Sequence, residues 1–370
     1  MAIEPKTAPP SPSAPRKKVL FISGILPSAK FPSSGHAVAG RILRRMLEKH
    51  DVWLVAFCNN LEHTYLDLAE FSACKGVWIF KVTTASRLKF ALLNPGLPLV
   101  TSARFGLAAP TVRKLLREQP IDEIWIEYIH AASLLELAPP SLKSTVVVHD
   151  FMHQALDRGV GAAPWWKRPF LQFEAARTRR WETEIVKKPS DLLTSNDKDR
   201  DIAQNITGRR DVVTRYSEID PLYAGIKRDP AKLRKGVIFF WGLMSRPENE
   251  DAMVWFASEI LPKIRRHRPH ARLVIAGAEP SKAVLALKGE PIDVLGFVKD
   301  PVPIFESVEM AVAPLRLGSG LKIKVVEFLA AGIPTVATNV GAEGVKPSPF
   351  LVVANEPEAF AQACLKFLSE

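Results

Sequence analysis

The residues best placed to do chemistry lie in one stretch, APLRLGSGLKIKVVEFLAAGIPTVATNVGAEG (313–344). A strand pattern ends near Leu315, a Gly-Ser-Gly turn follows, and a helical pattern starts close to Leu321. The first N–H groups of a helix have no partners within it and carry partial positive charge, so a helix start is an anion site. Gly318 and Gly320 let the backbone approach an anion closely. Lys322 and Lys324 place charge in the first turn, where each cation opposes the helix dipole by roughly 0.3–1 kcal/mol. That arrangement makes more sense with an anion bound. Glu327, about two turns further on, offers acceptor oxygens to a ribose. An ordinary βα turn with solvated lysines is the competing reading.

Two more groups stand at the ends of strand patterns. His149 and Asp150 close STVVVHD (144–150), and Glu127 and Tyr128 close DEIWIEY (122–128). Each pair is placed either to line a cleft or simply to cap its strand. The sequence has no His-rich cluster or Cys pair, and the aspartates of SNDKDRDI (195–202) fall on a helical pattern and not in a metal-binding D-x-D loop, so no metal site is expected. It also lacks a Walker A pattern, a nucleophile elbow and a dinucleotide G-x-G-x-x-G fingerprint.

The elements that must hold these residues alternate along the chain. KKVLFISG (17–24), DVWLVAF (51–57) and GVWIFKV (76–82) join the two strands above, with a helix after Gly35 carrying Val38, Ile42 and Met46 on one face. The alternation restarts with GVIFFWG (236–242), followed by ARLVIAG (271–277), PIDVLGF (291–297), MAVAPL (310–315) and IPTVATN (333–339). Between GVIFFWG and ARLVIAG, Met253, Phe256, Ala257, Ile260, Leu261 and Ile264 form a helical stripe. Apolar runs that do not alternate suit strands buried on both faces of a parallel sheet. The 370 residues therefore divide into a flexible tail (1–16), a first α/β domain (17–214), a linker (215–235) and a second α/β domain (236–370). Ligands of such sheets bind beyond the carboxyl ends of the strands.

Composition limits the partners. With 47% hydrophobic and 24% charged residues the chain is globular, and three cysteines support no disulfide framework. No run approaches the roughly 18 apolar residues of a spanning helix, and the N-terminal Pro/Ser/Ala run is not an export signal, which together predict a cytoplasmic protein. The net charge of +11 favours anionic partners. The basic residues are spread out and no reader motif accompanies them, so nucleic acid is not expected among those partners.

The stretch 313–344 resembles the donor-binding segment of family-4 retaining glycosyltransferases of the GT-B fold, where strand, glycine turn, helix and G-x-P-V-V-A-T follow in that order. The likeness extends to 236–277 and 296–315, and more loosely to ILPSAKFPSSG (25–35), VVVHD (146–150) and 181–202. It implies two doubly wound Rossmann-like domains facing across a cleft, the second binding a nucleotide sugar and the first presenting a glycan or lipid-linked glycan. It implies no cofactor and no essential metal. Glu327 matches the family's ribose-binding glutamate, and Ser319 stands where a second glutamate is usual. Arg246 matches the phosphate-binding arginine, Asn249 stands near the usual lysine, and Lys322 is expected to restore that charge. Gly320 and Leu321 would meet the departing diphosphate, with Lys324 and Val298 completing the donor set. His149 would touch the donor sugar or align the acceptor, so His149, Lys322 and Glu327 are the expected catalytic residues. Gly35, His36, Glu127, Tyr128 and Asp150, with Ser34, are the acceptor-side candidates.

A nucleotide-sugar epimerase or hydrolase on the same fold, and a degenerate protein that only binds nucleotide sugar or glycan, are the rival readings. The segment 164–188, with Trp165 and Trp166 beside Lys167 and Arg168, has the composition of an interfacial anchor. It would place the first domain on the inner face of the plasma membrane, in polysaccharide biosynthesis. The family also continues into a helix that crosses back onto the first domain, so the chain's end at 370 implies less constrained closure.

Overall fold

The computed structural model describes residues 15–216 and 220–369. The first sheet contains β1 (Lys17–Ser23), β2 (His50–Cys58), β3 (Gly76–Lys81), β4 (Glu123–Glu127), β5 (Lys143–Val148), β6 (Asp191–Thr194) and β7 (Val213–Thr214). Its order is β3-β2-β1-β4-β5-β6-β7, with all neighbours parallel. The second contains β8 (Arg234–Trp241), β9 (Arg272–Ala276), β10 (Ile292–Gly296), β11 (Val308–Ala313), β12 (Thr335–Ala337) and β13 (Leu351–Val353). Its order is β10-β9-β8-β11-β12-β13, again all parallel. Each sheet reverses direction of winding beside its first strand, between β1 and β4 and between β8 and β11. Such a switch point opens a crevice at the carboxyl edge.

The unalternating strand sequences are explained by burial on both faces. In β1, Leu20 and Ile22 enter one apolar cluster while Val19 and Phe21 enter another. In β8, Ile238 and Phe240 face one cluster, and Val237 and Phe239 face the other. The helical stripe of the second domain is buried over Met253, Phe256, Ile260, Leu261 and Ile264, in the run Pro247–His267.

Three boundaries differ from expectation. Of the tail, residues 1–14 lie outside the described residues, but Arg16 is docked. Its guanidinium donates to Leu47 O at 2.7 Å and Glu48 O at 3.0 Å, satisfying carbonyls at the end of the helix Ser34–Lys49. The linker ends early, because Arg234 and Lys235 already belong to β8. Within it Tyr223 is buried against Phe305 of the second domain, at a ring separation of 4.9 Å. The helix after the glycine turn spans Ile323–Ala330 and starts two residues later than the pattern suggests, because the Gly320 backbone is left-handed and Lys322 is non-helical.

Candidate active site

The carboxyl edges of the two sheets border one cavity of about 620 Å³. Loops after β1, β4 and β5 bring Ser34, Gly35, Tyr128, His149 and Asp150 to it. Loops after β8, β10 and β11 bring Arg246, Asn249, Val298, Ser319, Gly320, Leu321, Lys322, Lys324 and Glu327. Residues up to 293 positions apart in sequence thus meet at one place, as with Ser34 Oγ, which donates to Glu327 Oε1 at 3.1 Å.

Glu327 is buried, and its Oε2 has no hydrogen-bond partner. Burial pushes its carboxyl up to about 7, against the opposing pull of Ser34 and Lys324. A buried acceptor without a donor is expensive to leave unmade, so this oxygen fits a ligand hydroxyl. Lys324 stands one helical turn away. Its Nζ donates to Asn249 Oδ1 at 2.6 Å and lies 4.1 Å from the Phe240 ring centroid. Burial pulls this ammonium down to about 7. Gly242, at the end of β8, makes room for it: a Cβ there would stand 2.7 Å from Nζ. The cation expected from Lys322 is therefore supplied at Asn249 by Lys324.

Lys322 itself is a correction. Its ammonium donates to Ser319 O at 2.9 Å and Gly320 O at 2.8 Å and lies 3.5 Å from Glu343. It braces the glycine turn from the cavity's edge, its ammonium engaged by the loop's own carbonyls and not by Asn249. Burial pulls its pKa down to about 8. Arg158 of the first domain also grips the turn, donating to Gly318 O and, at 2.8 and 2.6 Å, to both oxygens of Glu343. Lys198 donates to the same carboxylate. Burial alone would raise Glu343, yet Arg158 and Lys198 hold it down to about 2. Ser319 Oγ donates to Asp150 Oδ2 across the cleft. This close approach requires a glycine at 320, where φ is +74° and a Cβ would lie 2.7 Å from the Asp150 Cβ.

Two acceptor-side expectations fail. His36 points away from the cavity: its ring lies 4.3 Å from that of Phe31 and its Nε2 3.2 Å from Glu62. Successive helix residues are rotated by about 100°, so with Gly35 at the cavity its neighbour turns inward. Glu127 is fully buried behind the cavity wall. It accepts from Trp125 Nε1 at 2.7 Å and from His149 Nε2 at 2.7 Å, so it orients His149 from outside the cavity lining. Tyr128 stacks on the His149 ring at 4.1 Å and donates to Gly35 O at 3.1 Å. It does so from φ +73°, an uncommon backbone conformation for tyrosine. Arg158, Lys198 and Glu343 were not foreseen, since only tertiary contact unites them. Nor was Phe297, exposed at the cavity after β10, although its position at a strand's carboxyl end is legible.

Residues 235–370 match the family described as Glycosyl transferases group 1. Anabaena HepE, solved in complex with UDP and glucose, superposes with a TM-score of 0.59 at 14% identity over 94% of this chain and 88% of its own. Sucrose-phosphate synthase from Thermosynechococcus elongatus gives 0.63 at 12% identity over 95% and 89%. The fold is GT-B. The apo lipopolysaccharide outer core galactosyltransferase WaaB gives 0.57 at 12% identity over 95% and 90%. Among curated proteins, an uncharacterized 44.6 kDa protein in the cps region of Klebsiella pneumoniae is 24% identical over 158 residues. That alignment covers 40% of this chain and 41% of the relative, so it spans less than half of either.

Proposed function

We propose that the protein is a retaining, metal-independent glycosyltransferase that moves a sugar from a nucleotide-diphosphate donor to a hydroxyl of a glycan or lipid-linked glycan. The observation that carries this reading is the orphaned Oε2 of buried Glu327, one helical turn from the Lys324 ammonium in a cavity shared by both domains. The carboxylate would take ribose hydroxyls, and Lys324, Arg246 and the N–H groups at Leu321 would face the diphosphate. The family match over the second domain supports the reaction class. The neighbour solved with UDP-glucose supports a UDP-sugar donor. A cytoplasmic setting and a role in polysaccharide assembly belong to the same reading, the latter supported by the cps-region relative.

Each carboxylate lining the cavity is already engaged: Asp150 accepts from Ser319, Glu248 pairs with Arg246, Asp220 pairs with Arg41, and Glu327 is taken as the ribose acceptor. We infer a displacement on one face. The bond from the anomeric carbon to the diphosphate oxygen breaks, the bond to the acceptor oxygen forms on that same face, and the acceptor proton passes to the departing oxygen. Charge grows on the diphosphate as the bond breaks, and a preorganised positive field there stabilises the transition state. His149, donating Nε2–H to Glu127, keeps Nδ1 as an acceptor for a sugar hydroxyl.

The test is a thermal-shift screen of nucleotide sugars, since ligand bound to the folded state raises apparent stability. Transfer by the best donor is then followed by proton NMR of the product's anomeric centre. Retained configuration with an acceptor is expected. Rapid donor consumption without acceptor would replace the reading by a hydrolase or epimerase, and tight binding without turnover by a binding protein.

A further inference from the structure

On the outside of the first domain, away from the cavity, two elements carry apolar side chains that the fold does not use. The helix Thr84–Leu93 (TASRLKFALL) has no buried residue along its 10 positions. Phe90 anchors it by lying over Gly106, where a Cβ would stand 2.0 Å from the ring. Leu88, Leu92 and Leu93 are left exposed, Leu92 at 83%. The second element is the turn at Trp165 with the helix Arg168–Ile185. This helix buries Glu174, Ala175, Thr178, Trp181, Glu182 and Ile185. Trp166, Phe170 and Phe173, spaced by four and three, are exposed on its other side, and Trp165 is 80% exposed. The helix Arg168–Ile185 is tied to the segment that follows the helix Thr84–Leu93, as Arg177 donates to Pro95 O at 3.2 Å and the Leu99 amide to Glu174 Oε1 at 2.6 Å.

The exposed charges next to these side chains in sequence are basic. Residues 83–117 and 158–173 contain no Asp or Glu, while Arg87, Lys89, Lys167 and Arg168 are exposed among the apolar side chains. The cations also ride on the aromatic rings: Lys167 Nζ lies 4.7 Å from the Trp166 centroid and Lys89 Nζ 5.4 Å from that of Phe90. Scattered exposed leucines need no explanation, but seven exposed apolar side chains with basic residues among them do. Apolar tips with cations beside them match the boundary of an anionic bilayer, where the chains enter the acyl edge and the cations stay at the phosphates.

We propose that the face formed by Leu88, Leu92, Leu93, Trp165, Trp166, Phe170 and Phe173 docks on an anionic lipid bilayer. The proposal concerns a surface that no step at the cavity uses, and its test needs no turnover. Full-length protein is floated with vesicles of phosphatidylcholine alone and with about one third phosphatidylglycerol, at low and at high salt. Binding at least tenfold stronger to the anionic vesicles and weakened by salt is expected. Exchanging exposed residues, L92S/L93S and W165S/W166S, should cut anionic binding at least tenfold while nucleotide-induced thermal shifts stay as in the parent chain. K167E/R168E should abolish the preference for anionic lipid. Equal binding of parent and variants, indifference to lipid charge, or no binding of the folded parent to either vesicle would overturn the proposal. So would parent self-association in sedimentation that the serine variants remove, which would assign the face to a second copy.

Discussion

The donor site should have a narrow pH optimum whose two limbs belong to different residues. Glu327 must be ionised to accept from a ribose, and burial raises it to about 7, so its acceptor form is lost as pH falls through that value. Lys324 must be protonated to meet a diphosphate, and burial lowers it to about 7, so its charge is lost as pH rises. The pair titrates together. With both near 7, going from pH 7 to pH 5.5 protonates Glu327 while Lys324 keeps its charge, so the ionised pair becomes the minor form. Affinity for a nucleotide sugar, measured by calorimetry, should therefore fall about tenfold from pH 7 to pH 5.5. A nucleotide sugar is the right probe because it lacks the terminal phosphate ionisation near pH 6. Glu327→Gln should weaken binding at pH 7 by about 1.5–3 kcal/mol, the worth of a charge-assisted hydrogen bond. It should also erase the acid limb and leave the alkaline limb standing. An acid limb that persists in Glu327→Gln would refute the reasoning, because some other group would then be titrating.

Lys324→Met should remove the alkaline limb and lower kcat by about 100-fold or more, the scale of losing one preorganised donor to a developing anion, as read in initial rates with saturating donor. Lys322→Met should lower donor affinity and turnover together, because it frees the Ser319 and Gly320 carbonyls and loosens the turn; a selective loss of kcat in the same assay would return Lys322 to the diphosphate. Glu127→Gln and His149→Ala should both reduce transfer while calorimetric affinity for the free nucleotide stays unchanged, since neither reaches the second domain's ribose site. Turnover should survive EDTA, because Arg246, Lys324 and the helix start already supply the positive field; loss with chelator and recovery with manganese would contradict this.

Much of this architecture is legible in the sequence because parallel strands buried on both faces are written as uninterrupted apolar runs. The glycine turn and Glu327 are legible for a similar reason, since a turn and the helix after it are local. Lys322 and Lys324 show where that reasoning stops. Two residues apart at a helix start, they look equivalent, and only the path of the turn sends one ammonium to its own carbonyls and the other to Asn249. Glu127 and Tyr128 repeat the lesson, because the strand ends at Glu127 and the left-handed φ of Tyr128, which the sequence does not announce, swings its ring to the cavity. Arg158 and Glu343, 185 positions apart, carry no spacing signal at all.

These contacts divide the labour at the cleft between groups that titrate near neutrality and groups that do not. Glu343, held at about 2 by its cations, stays ionised wherever Glu327 and Lys324 change state. Its stabilising contribution is present above the ordinary carboxylate range and is lost only as pH falls through about 2. The bond from the first domain to the glycine turn therefore persists across the pH range in which donor binding varies. On the proposed function the turn's backbone faces the diphosphate and must keep its shape, and its three braces, Arg158, Lys322 and Asp150, come from both domains. Removing Arg158 should thus loosen donor binding from the far side of the cleft, without touching Glu327 or Lys324. Arg158→Ala should weaken nucleotide-sugar affinity and leave the midpoints of both pH limbs in place. A shifted acid midpoint in that variant would mean that the first domain sets the ionisation of Glu327 through Arg158, and that burial of the carboxyl is not what governs it.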